Sequence, residues 1–315
     1  MIIRVHSLIK FFKCTHMAIA ACLALFLVLS CRTVPLTPEP FGDAINSLPL
    51  EPGAHTYVLA DVKGARPVLD LLALPGMNQK QAALVLNRMN SMAVALYPEG
   101  NERRLQLAAW GNVTPSQGGL VFGMNRDWKK TRCAAGHSYW YSKKDGLSVA
   151  TGMKQAFAAQ SAVGLPLDPV THSSGVELPD DFHDFSRGTV IFCWLDDPDR
   201  IIRRIFVEMG IPLTLPAERV FISLFPAEEN AGSTPESLPR YEALLRIQTP
   251  GESQARALVR LISLAHAFSG GASTDGRPSL MEILLSNAPV QEGRFVLIKT
   301  PRMSAADIAG LIRTA

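Results

Sequence analysis

A short run of acidic residues around one histidine has the chemistry of a metal site. Asp180, Asp181 and Asp184 flank His183, and carboxylates together with imidazole are common ligands of divalent metals. Their spacing matches no established ligand pattern. A solvated acidic turn before a strand accounts for the same residues, so we predict no metal there.

A second acidic group, Asp196, Asp197 and Asp199, offers paired carboxylates for general acid–base catalysis. Pro198 lies among them, and acidic residues around a proline are typical of a helix N-terminus. Helix capping therefore accounts for the three carboxylates with fewer assumptions than catalysis.

One aromatic stretch could stack a planar ligand, because His137 is followed closely by Tyr139, Trp140 and Tyr141. Alternating aromatic residues in a strand more often form core and cross-strand contacts. We favour the core interpretation for this stretch.

The local motifs of common enzyme classes are absent from the sequence, which has no Walker loop, no dinucleotide-binding G-x-G-x-x-G, no H-E-x-x-H and no G-x-S-x-G. The pair Gly118-Gly119 lacks the lysine of a phosphate loop, which indicates close packing or a helix entry. We predict no catalytic residue, no cofactor and no metal. An active site built from distant residues would leave no local motif, so an enzyme stays open as a third hypothesis.

The elements that would position these residues follow an N-terminal segment with the order of a secretory signal. Arg4, Lys10 and Lys13 precede an apolar run from Met17 to Leu29, and a small residue then precedes Cys31. The run has about 13 residues and would reach roughly 20 Å as a helix, which is too short to span a bilayer. We predict that residues 1–30 are a signal peptide.

The end of this segment, Val28-Leu29-Ser30-Cys31, resembles the lipobox of bacterial lipoproteins. Leu29 departs from the usual small residue at its position, a departure that spirochaetal lipoproteins tolerate. The resemblance implies cleavage after Ser30, acylation of Cys31 with palmitate or a similar chain, and a Pro-rich tether over residues 31–50. Two alternatives stay open: an ordinary Cys31 after an uncleaved apolar helix, and a start at Met17.

The cysteines beyond the anchor are Cys133 and Cys193. Cys193 lies in the apolar run 189–195, so we interpret it as a buried small hydrophobic residue. An oxidising compartment would permit a disulfide between the two, but the sequence alone leaves their pairing open.

The charge balance argues against a nucleic-acid partner. The chain has 31 basic and 28 acidic residues, and three basic residues but no acidic ones lie in the signal peptide, which leaves 28 of each in the mature body. Nucleic-acid binding needs a concentrated basic surface. We therefore predict no nucleic-acid partner.

The two halves of the mature chain share a similar order of sequence features. Each half has two strand-like segments joined by a turn and followed by Thr-Pro. In the first half these are Met92 to Asn101, Arg103 to Gly111 and Thr114-Pro115. In the second half they are Val220 to Asn230, Tyr241 to Gln248 and Thr249-Pro250. We predict an α+β fold of two tandem β-α-β-β-α-β units, 51–175 and 176–315, with antiparallel sheets and helices packed on them. An irregular connector is expected over 163–186.

Amphipathic helices are expected at 198–209 and 253–268, and a more uniformly apolar segment at 279–285. Their apolar faces suit either the domain core or a membrane interface. The periodicity alone leaves these alternatives open.

A duplicated α+β body behind a loosened lipobox is similar to the treponemal outer-membrane-associated lipoproteins, which have two α/β/α domains and amphipathic helices. The resemblance implies a non-catalytic protein of the outer membrane, on its periplasmic face, that associates with the bilayer through Cys31 and such helices. An alternative is a periplasmic module that binds a lipid or protein ligand in a cleft between the two units.

Overall fold

The structure is a computed structural model that describes residues 50–72, 79–99, 102–112, 114, 116, 119, 122–123, 125–132, 136–144, 146–152, 155–159, 176–196, 198, 217–227, 239–268, 283 and 286–314. The predicted signal peptide, Cys31, Cys133, Asp197, Asp199, the connector 163–175 and the helix 198–209, apart from Pro198, lie outside these residues. So does the segment 279–285, apart from Ile283.

Strands dominate the described part of the chain. They are β1 (Thr56–Asp61), β2 (Met89–Glu99), β3 (Glu102–Gly111), β4 (Trp128–Arg132), β5 (Ser138–Ser142), β6 (Leu147–Thr151), β7 (Gln155–Ala159), β8 (Ile191–Asp196), β9 (Arg219–Pro226), β10 (Arg240–Gln248), β11 (Val290–Glu292), β12 (Phe295–Lys299) and β13 (Met303–Ser304). The helices are α1 (Arg66–Leu69), α2 (Gln79–Leu86), α3 (Phe182–Ser186), α4 (Glu252–Phe268) and α5 (Ala305–Thr314). The predicted mixture of helices and antiparallel strands is confirmed.

The strands form one sheet where the sequence predicted separate ones. In the described residues their order is β11-β12-β10-β9-β8-β1-β2-β3-β7-β6-β5-β4, with β13 paired to β10. The halves join because β1 and β8 pair antiparallel, with Thr56 opposite Leu195 and Ala60 opposite Ile191. Both strands are apolar, so pairing satisfies backbone groups that a buried free edge would leave without partners. Duplication of the units is not shown and stays a prediction.

The hairpin predicted in the first half is present as β2 and β3, with Ala93 opposite Ala108. Gly111 ends β3 where the chain approaches the preceding helix turn. A Cβ at this glycine would lie 2.0 Å from the carbonyl oxygen of Arg88, a separation that no side chain can tolerate. The tight contact explains why glycine occupies this position.

One face of the sheet, here called the aromatic face, carries large rings from the central strands. Trp194 and Phe221 are 1 % and 0 % exposed, and Tyr57 stacks on Trp194 with ring centroids 4.7 Å apart. Helix α3 covers this face and inserts Phe182, which is fully buried. Residues 182–186, expected to end an irregular connector, therefore form a short helix instead. Burial of the Phe182 ring against the sheet stabilises this helix more than exposure of the ring in a solvated loop would.

The opposite face, here called the helix face, packs against α1, α2, α4 and α5. The α4 stripe contributes Ala255, Leu258 and Ile262 to a cluster with sheet residues. The helix predicted at 253–268 is therefore confirmed, and its apolar stripe is core rather than a membrane surface. Within the described residues, no helix is both long and apolar enough to cross a membrane.

The aromatic residues of β5 divide between the two faces, as strand alternation requires. Tyr139 packs against the core of the aromatic face. Trp140 points to the helix face, where its ring lies 6.1 Å from that of Phe122, near Trp128. The predicted core role of this stretch is confirmed, and His137 is exposed at its start.

Candidate functional site

The acidic run around His183 forms a turn and the helix α3. Phe182 turns into the core, whereas Asp180, His183 and Asp184 are exposed. Asp184 lies 3.7 Å from Arg187, and both side chains are about four-fifths exposed. Among the residues that the structure describes, no three metal-ligating side chains cluster. The predicted exposure of these polar side chains is confirmed, but residues 182–186 form a helix rather than a turn.

Asp196 ends β8 and forms an ion pair with Arg219 of β9, with the carboxylate and guanidinium atoms 2.5 Å apart. This pair joins neighbouring strands at the end of their register. The carboxylate is thus held by a cation, which suits a structural ion pair better than proton transfer. Helix capping by Asp197 and Asp199 lies outside the described residues.

The glycine pair is half described. Gly119 has helical backbone, and a Cβ there would meet no atom within 4 Å. Of the two predicted explanations, the helical backbone of Gly119 agrees with a helix entry, and close packing to the described residues is wrong. Close packing occurs instead at Gly123, where a Cβ would lie 3.2 Å from the ring of Trp140.

Cys193 carries a free thiol and packs among apolar residues on the helix face, next to the α4 cluster. Burial raises the pKa of Cys193 to about 12, so the thiol stays protonated and unreactive at neutral pH. The predicted role as a small hydrophobic residue is confirmed.

One hydroxyl–imidazole contact was not foreseen. The Nδ1 atom of His55 lies 2.7 Å from Oγ1 of Thr56, the distance expected of a base and its nucleophile. Thr56 is only 8 % exposed and lies between Leu96 and Leu195 in the sheet register. Its hydroxyl is therefore poorly accessible to a substrate.

A different group of residues combines three cations with three aromatic rings. We call it the arginine–phenylalanine cluster, and its members are Arg219, Arg246, Arg294, Phe185, Phe221 and Phe295. The strands β9, β10 and β12 supply four of its members, the turn before β12 supplies Arg294, and α3 supplies Phe185. The ring centroid of Phe185 lies 5.0 Å from that of Phe221 and 5.5 Å from that of Phe295. Each guanidinium lies over one ring, at 5.9 Å for Arg219, 4.3 Å for Arg246 and 5.7 Å for Arg294.

Arg246 is the central cation of this cluster. Its guanidinium stacks on Phe185 and donates a hydrogen bond to Oγ of Ser223 at 2.9 Å. The Ser223 hydroxyl in turn donates to the carbonyl oxygen of Phe185 at 2.8 Å, so the network fixes the arginine in place. Desolvation by burial lowers the pKa of Arg246, and the charge of Glu292 opposes that shift.

The three arginines differ in charge compensation. Arg219 is paired with Asp196 at 2.5 Å, and Arg294 lies 4.0 Å from Glu218. No carboxylate of the described chain forms an ion pair with Arg246. A half-buried guanidinium can bind an anionic group. The partly exposed rings of Phe185 and Phe295 can contact an apolar chain, whereas Phe221 is fully buried.

Sequence reasoning missed this cluster because cross-strand register creates it. Arg246 lies opposite Phe221 on one side and Leu297 on the other, across positions far apart in the sequence. The available signal was local: arginine precedes phenylalanine by two residues at 219–221 and by one at 294–295.

A buried polar network holds the start of the body. The Gln106 side chain is 1 % exposed, and its Oε1 accepts hydrogen bonds from the backbone N–H of Glu51 at 2.9 Å and from the Tyr97 hydroxyl at 2.8 Å. The backbone N–H of Ala54 donates to the Tyr57 hydroxyl at 3.0 Å. Burial raises the pKa of Tyr97 above its usual value, so its hydroxyl stays neutral. These bonds fasten residues 51–54 to the sheet.

No protein-family model matches the chain, and no curated protein matches it. Solved structures do match, and three are crystal forms of TP0453. Form III has a TM-score of 0.58 at 15% identity, covering 86% of this chain and 99% of that chain. Form IV has a TM-score of 0.57 at 17% identity, covering 84% and 96%. Form I has a TM-score of 0.55 at 15% identity, covering 84% and 95%.

TP0453 is a treponemal lipoprotein. At such low identity the match shows a shared fold over most of both chains. The expected resemblance to treponemal lipoproteins is therefore supported at the level of the fold, while a spirochaete origin stays a prediction.

Proposed function

We propose that this chain is a lipid-anchored, non-catalytic lipoprotein of the cell envelope, attached by Cys31 to the outer membrane on its periplasmic face. The observation that supports it most is the TP0453-like fold, which covers 86% of this chain and 99% of TP0453 form III.

The polar network around Gln106 supports the same organisation. It fastens residues 51–54 to the sheet, immediately after the tether predicted from the sequence. In this proposal the sheet is therefore attached to the membrane through residues 51–54 and the tether before them. Membrane contact by amphipathic segments is limited in this proposal to 198–209 and 279–285, because the α4 stripe packs on the sheet.

Metabolic labelling of the full chain with palmitate in a bacterium with two membranes tests the anchor. We expect label in the unmodified chain and no label in Cys31→Ser. The matched control Cys22→Ser should be fully labelled, because Cys22 is removed with the signal peptide and is not the acylated residue. Label that persists in Cys31→Ser would contradict the proposal, as would an unmodified chain that takes up none.

A second candidate function rests on the arginine–phenylalanine cluster. The alternative hypothesis placed a ligand in a cleft between two units, but the halves meet through hydrogen-bonded β1 and β8. We propose instead that Arg246 and its surrounding rings bind the carboxylate or phosphate of an amphipathic ligand. The half-buried cation without an ion pair in the described chain favours this site.

Titration with a fluorescent fatty acid and with its alcohol analogue tests this candidate. Arg246→Met retains most of the side-chain volume, and we expect it to weaken fatty-acid binding roughly tenfold or more. The alcohol should bind both proteins equally weakly. Arg256→Met, at an exposed position on α4, is the matched control and should bind like the unmodified chain. Equal fatty-acid affinity in the Arg246 and Arg256 variants would exclude the site.

A further inference from the structure

One edge of the sheet carries a concentration of positive charge that the net charge of the chain conceals. We call it the basic edge and define it as Arg126, Lys129, Lys130, Lys143 and Lys144. All five side chains are exposed. Strand β4 is the outermost strand at this edge, and it pairs only with β5 in the described sheet.

The register of the β4–β5 hairpin brings the five cations together. Trp128 lies opposite Ser142, and each basic-edge residue lies within two positions of one of them in the sequence. At no more than about 3.3 Å per residue, the Cα atoms of all five lie within roughly 7 Å of this pair. Arg132 adds a sixth exposed cation at the other end of β4.

These cations are clustered, and none of them has a carboxylate partner among the described residues. Elsewhere, Lys299 and Arg302 both pair with Glu242. No ion pair of the described residues involves the basic edge. The only acidic residues within three positions of it in the sequence are Asp127 and Asp145. A surplus of positive charge therefore remains in a small area.

Protection of an edge strand explains part of this pattern. Lysines on an edge strand prevent pairing with the edge of another sheet, which suffices for Lys129 and Lys130. It does not explain Arg126, Lys143 and Lys144, because they lie in turns outside the β4 ladder. The extra charge points to a partner.

We propose that the basic edge docks the protein on an anionic phospholipid surface. The inference rests on the proposed envelope function, because an anchored body stays within reach of such a surface. Lysines next to a bilayer are attracted to anionic headgroups and need no fixed geometry. An acyl chain gains stable attachment when a basic patch adds a second contact.

The surroundings favour lipid over nucleic acid. Single-stranded nucleic acids bind where exposed aromatic rings stack on bases. Trp128, in the middle of the basic edge, is only 5 % exposed and packs against Phe122. Four of the five cations are lysines, which act as point charges without the bidentate geometry of arginine.

Lysine acetylation of the mature lipoprotein in vesicles measures this contact directly. The protein is reconstituted in phosphatidylcholine vesicles with or without phosphatidylglycerol, and the rate at each lysine is read by mass spectrometry. We expect phosphatidylglycerol to slow acetylation of Lys129, Lys130, Lys143 and Lys144 about tenfold. Lys63, exposed near α1, should not change. Salt at about 1 M should abolish the protection.

A variant with Lys129, Lys130, Lys143 and Lys144 replaced by Gln complements this measurement. Without the acyl chain, in residues 31–315 with Cys31→Ser, it should lose binding to phosphatidylglycerol vesicles by roughly six-hundredfold, at about fivefold per lysine.

The matched control replaces four exposed cations elsewhere, Lys63, Arg88, Arg256 and Arg260, and should retain most of the binding. Equal loss in the two variants would attribute binding to net charge and overturn the proposal. Equal protection on neutral vesicles would also overturn it, as would stronger protection by an oligonucleotide than by phosphatidylglycerol. Failure of the anchor is seen separately, as absent palmitate label.

Discussion

The two ends of the sheet treat charge in opposite ways. At the end formed by β10 and β12, Glu242 accepts ion pairs from Lys299 at 2.7 Å and from Arg302 at 3.1 Å. At the other end, the basic edge presents five exposed cations without a carboxylate partner in the described chain. Lys299 and Arg302 are compensated by Glu242 at the first end, where Arg246 of β10 is the exception, whereas the basic edge leaves its charges for solvent or a partner.

The comparison separates structural charges from available ones. Charges of opposite sign on neighbouring strands stabilise their pairing modestly, and they leave little attraction for a distant ligand. Like charges within about 7 to 10 Å repel by roughly half a kcal/mol per pair in water. The charges of the basic edge stabilise the fold only by protecting the edge strand. The basic edge is therefore a better candidate for an interaction surface than the paired charges around Glu242.

Removing a ring from the central core should have the largest effect on stability. Trp194 is 1 % exposed and contacts Tyr57 and Phe182. We expect Trp194→Ala to lower the free energy of unfolding by about 3–5 kcal/mol, measured by urea denaturation.

Trp140 offers the matched test at the basic-edge end, where the ring is only partly buried. Trp140→Ala should cost about 1–2 kcal/mol. Equal losses for the two variants would show that the basic-edge end is as tightly packed as the centre, and the contrast between the ends would then rest on charge alone.

The elements with strong local patterns were predictable. The strands at 92–101 and 103–111 and the helix at 253–268 appear with small shifts, as Met89–Glu99, Glu102–Gly111 and Glu252–Phe268. Each depends on alternation or helical periodicity over a long segment. The single sheet was not predictable, because pairing of β1 with β8 joins residues more than 130 positions apart and leaves no local signal.

The candidate sites show the same limit. The exposed carboxylates of 180–184, the apolar packing of Cys193 and the core contacts of the β5 aromatics were predictable, since each depends only on near neighbours. The helix at 182–186 was not predicted. The arginine–phenylalanine cluster was missed because three strands and α3 assemble it. The basic edge was missed because the sequence analysis considered only the net charge of the whole mature body. Acidic residues elsewhere cancel the local surplus of positive charge in that sum.

After Trp194→Ala, we expect the next largest loss of stability from disrupting the polar network around Gln106. Gln106→Ala removes the acceptor shared by the Glu51 N–H and the Tyr97 hydroxyl. The Glu51 N–H would lose its acceptor, whereas the Tyr97 hydroxyl also donates to the carbonyl oxygen of Glu51. The loss should cost about 1–3 kcal/mol. Hydrogen exchange should accelerate at the Glu51 amide. Exchange rates there that match those of the unmodified protein would mean that Gln106 does not hold this segment.

The ion pairs of Glu242 should make a smaller, pH-dependent contribution. Hydrogen bonds from Lys299 and then Arg302 lower the pKa of Glu242. A lowered carboxyl pKa stabilises the fold above the ordinary value of about 4.3, and this stability is lost as the pH falls through the lowered folded-state pKa.

Because Lys299 is 65% exposed, Glu242→Gln should cost only about 0.5–1 kcal/mol at neutral pH. The difference from the unmodified protein should vanish in acid. The control Glu177→Gln, at an exposed position, should show no difference at either pH. A cost for Glu242→Gln that persists below about pH 2 would assign it to packing rather than to charge.

The smallest effect on stability should come from the basic edge itself. Lys143→Gln with Lys144→Gln removes repulsion among neighbouring cations and breaks no ion pair of the described residues. The free energy of unfolding should therefore stay constant or rise by a few tenths of a kcal/mol, with the gain largest at low salt because salt screens the repulsion. A loss of more than about 1 kcal/mol would mean that these lysines hold the β5–β6 turn together. The contrast with the Glu242 end would then disappear, since both ends would use their charges to stabilise the fold.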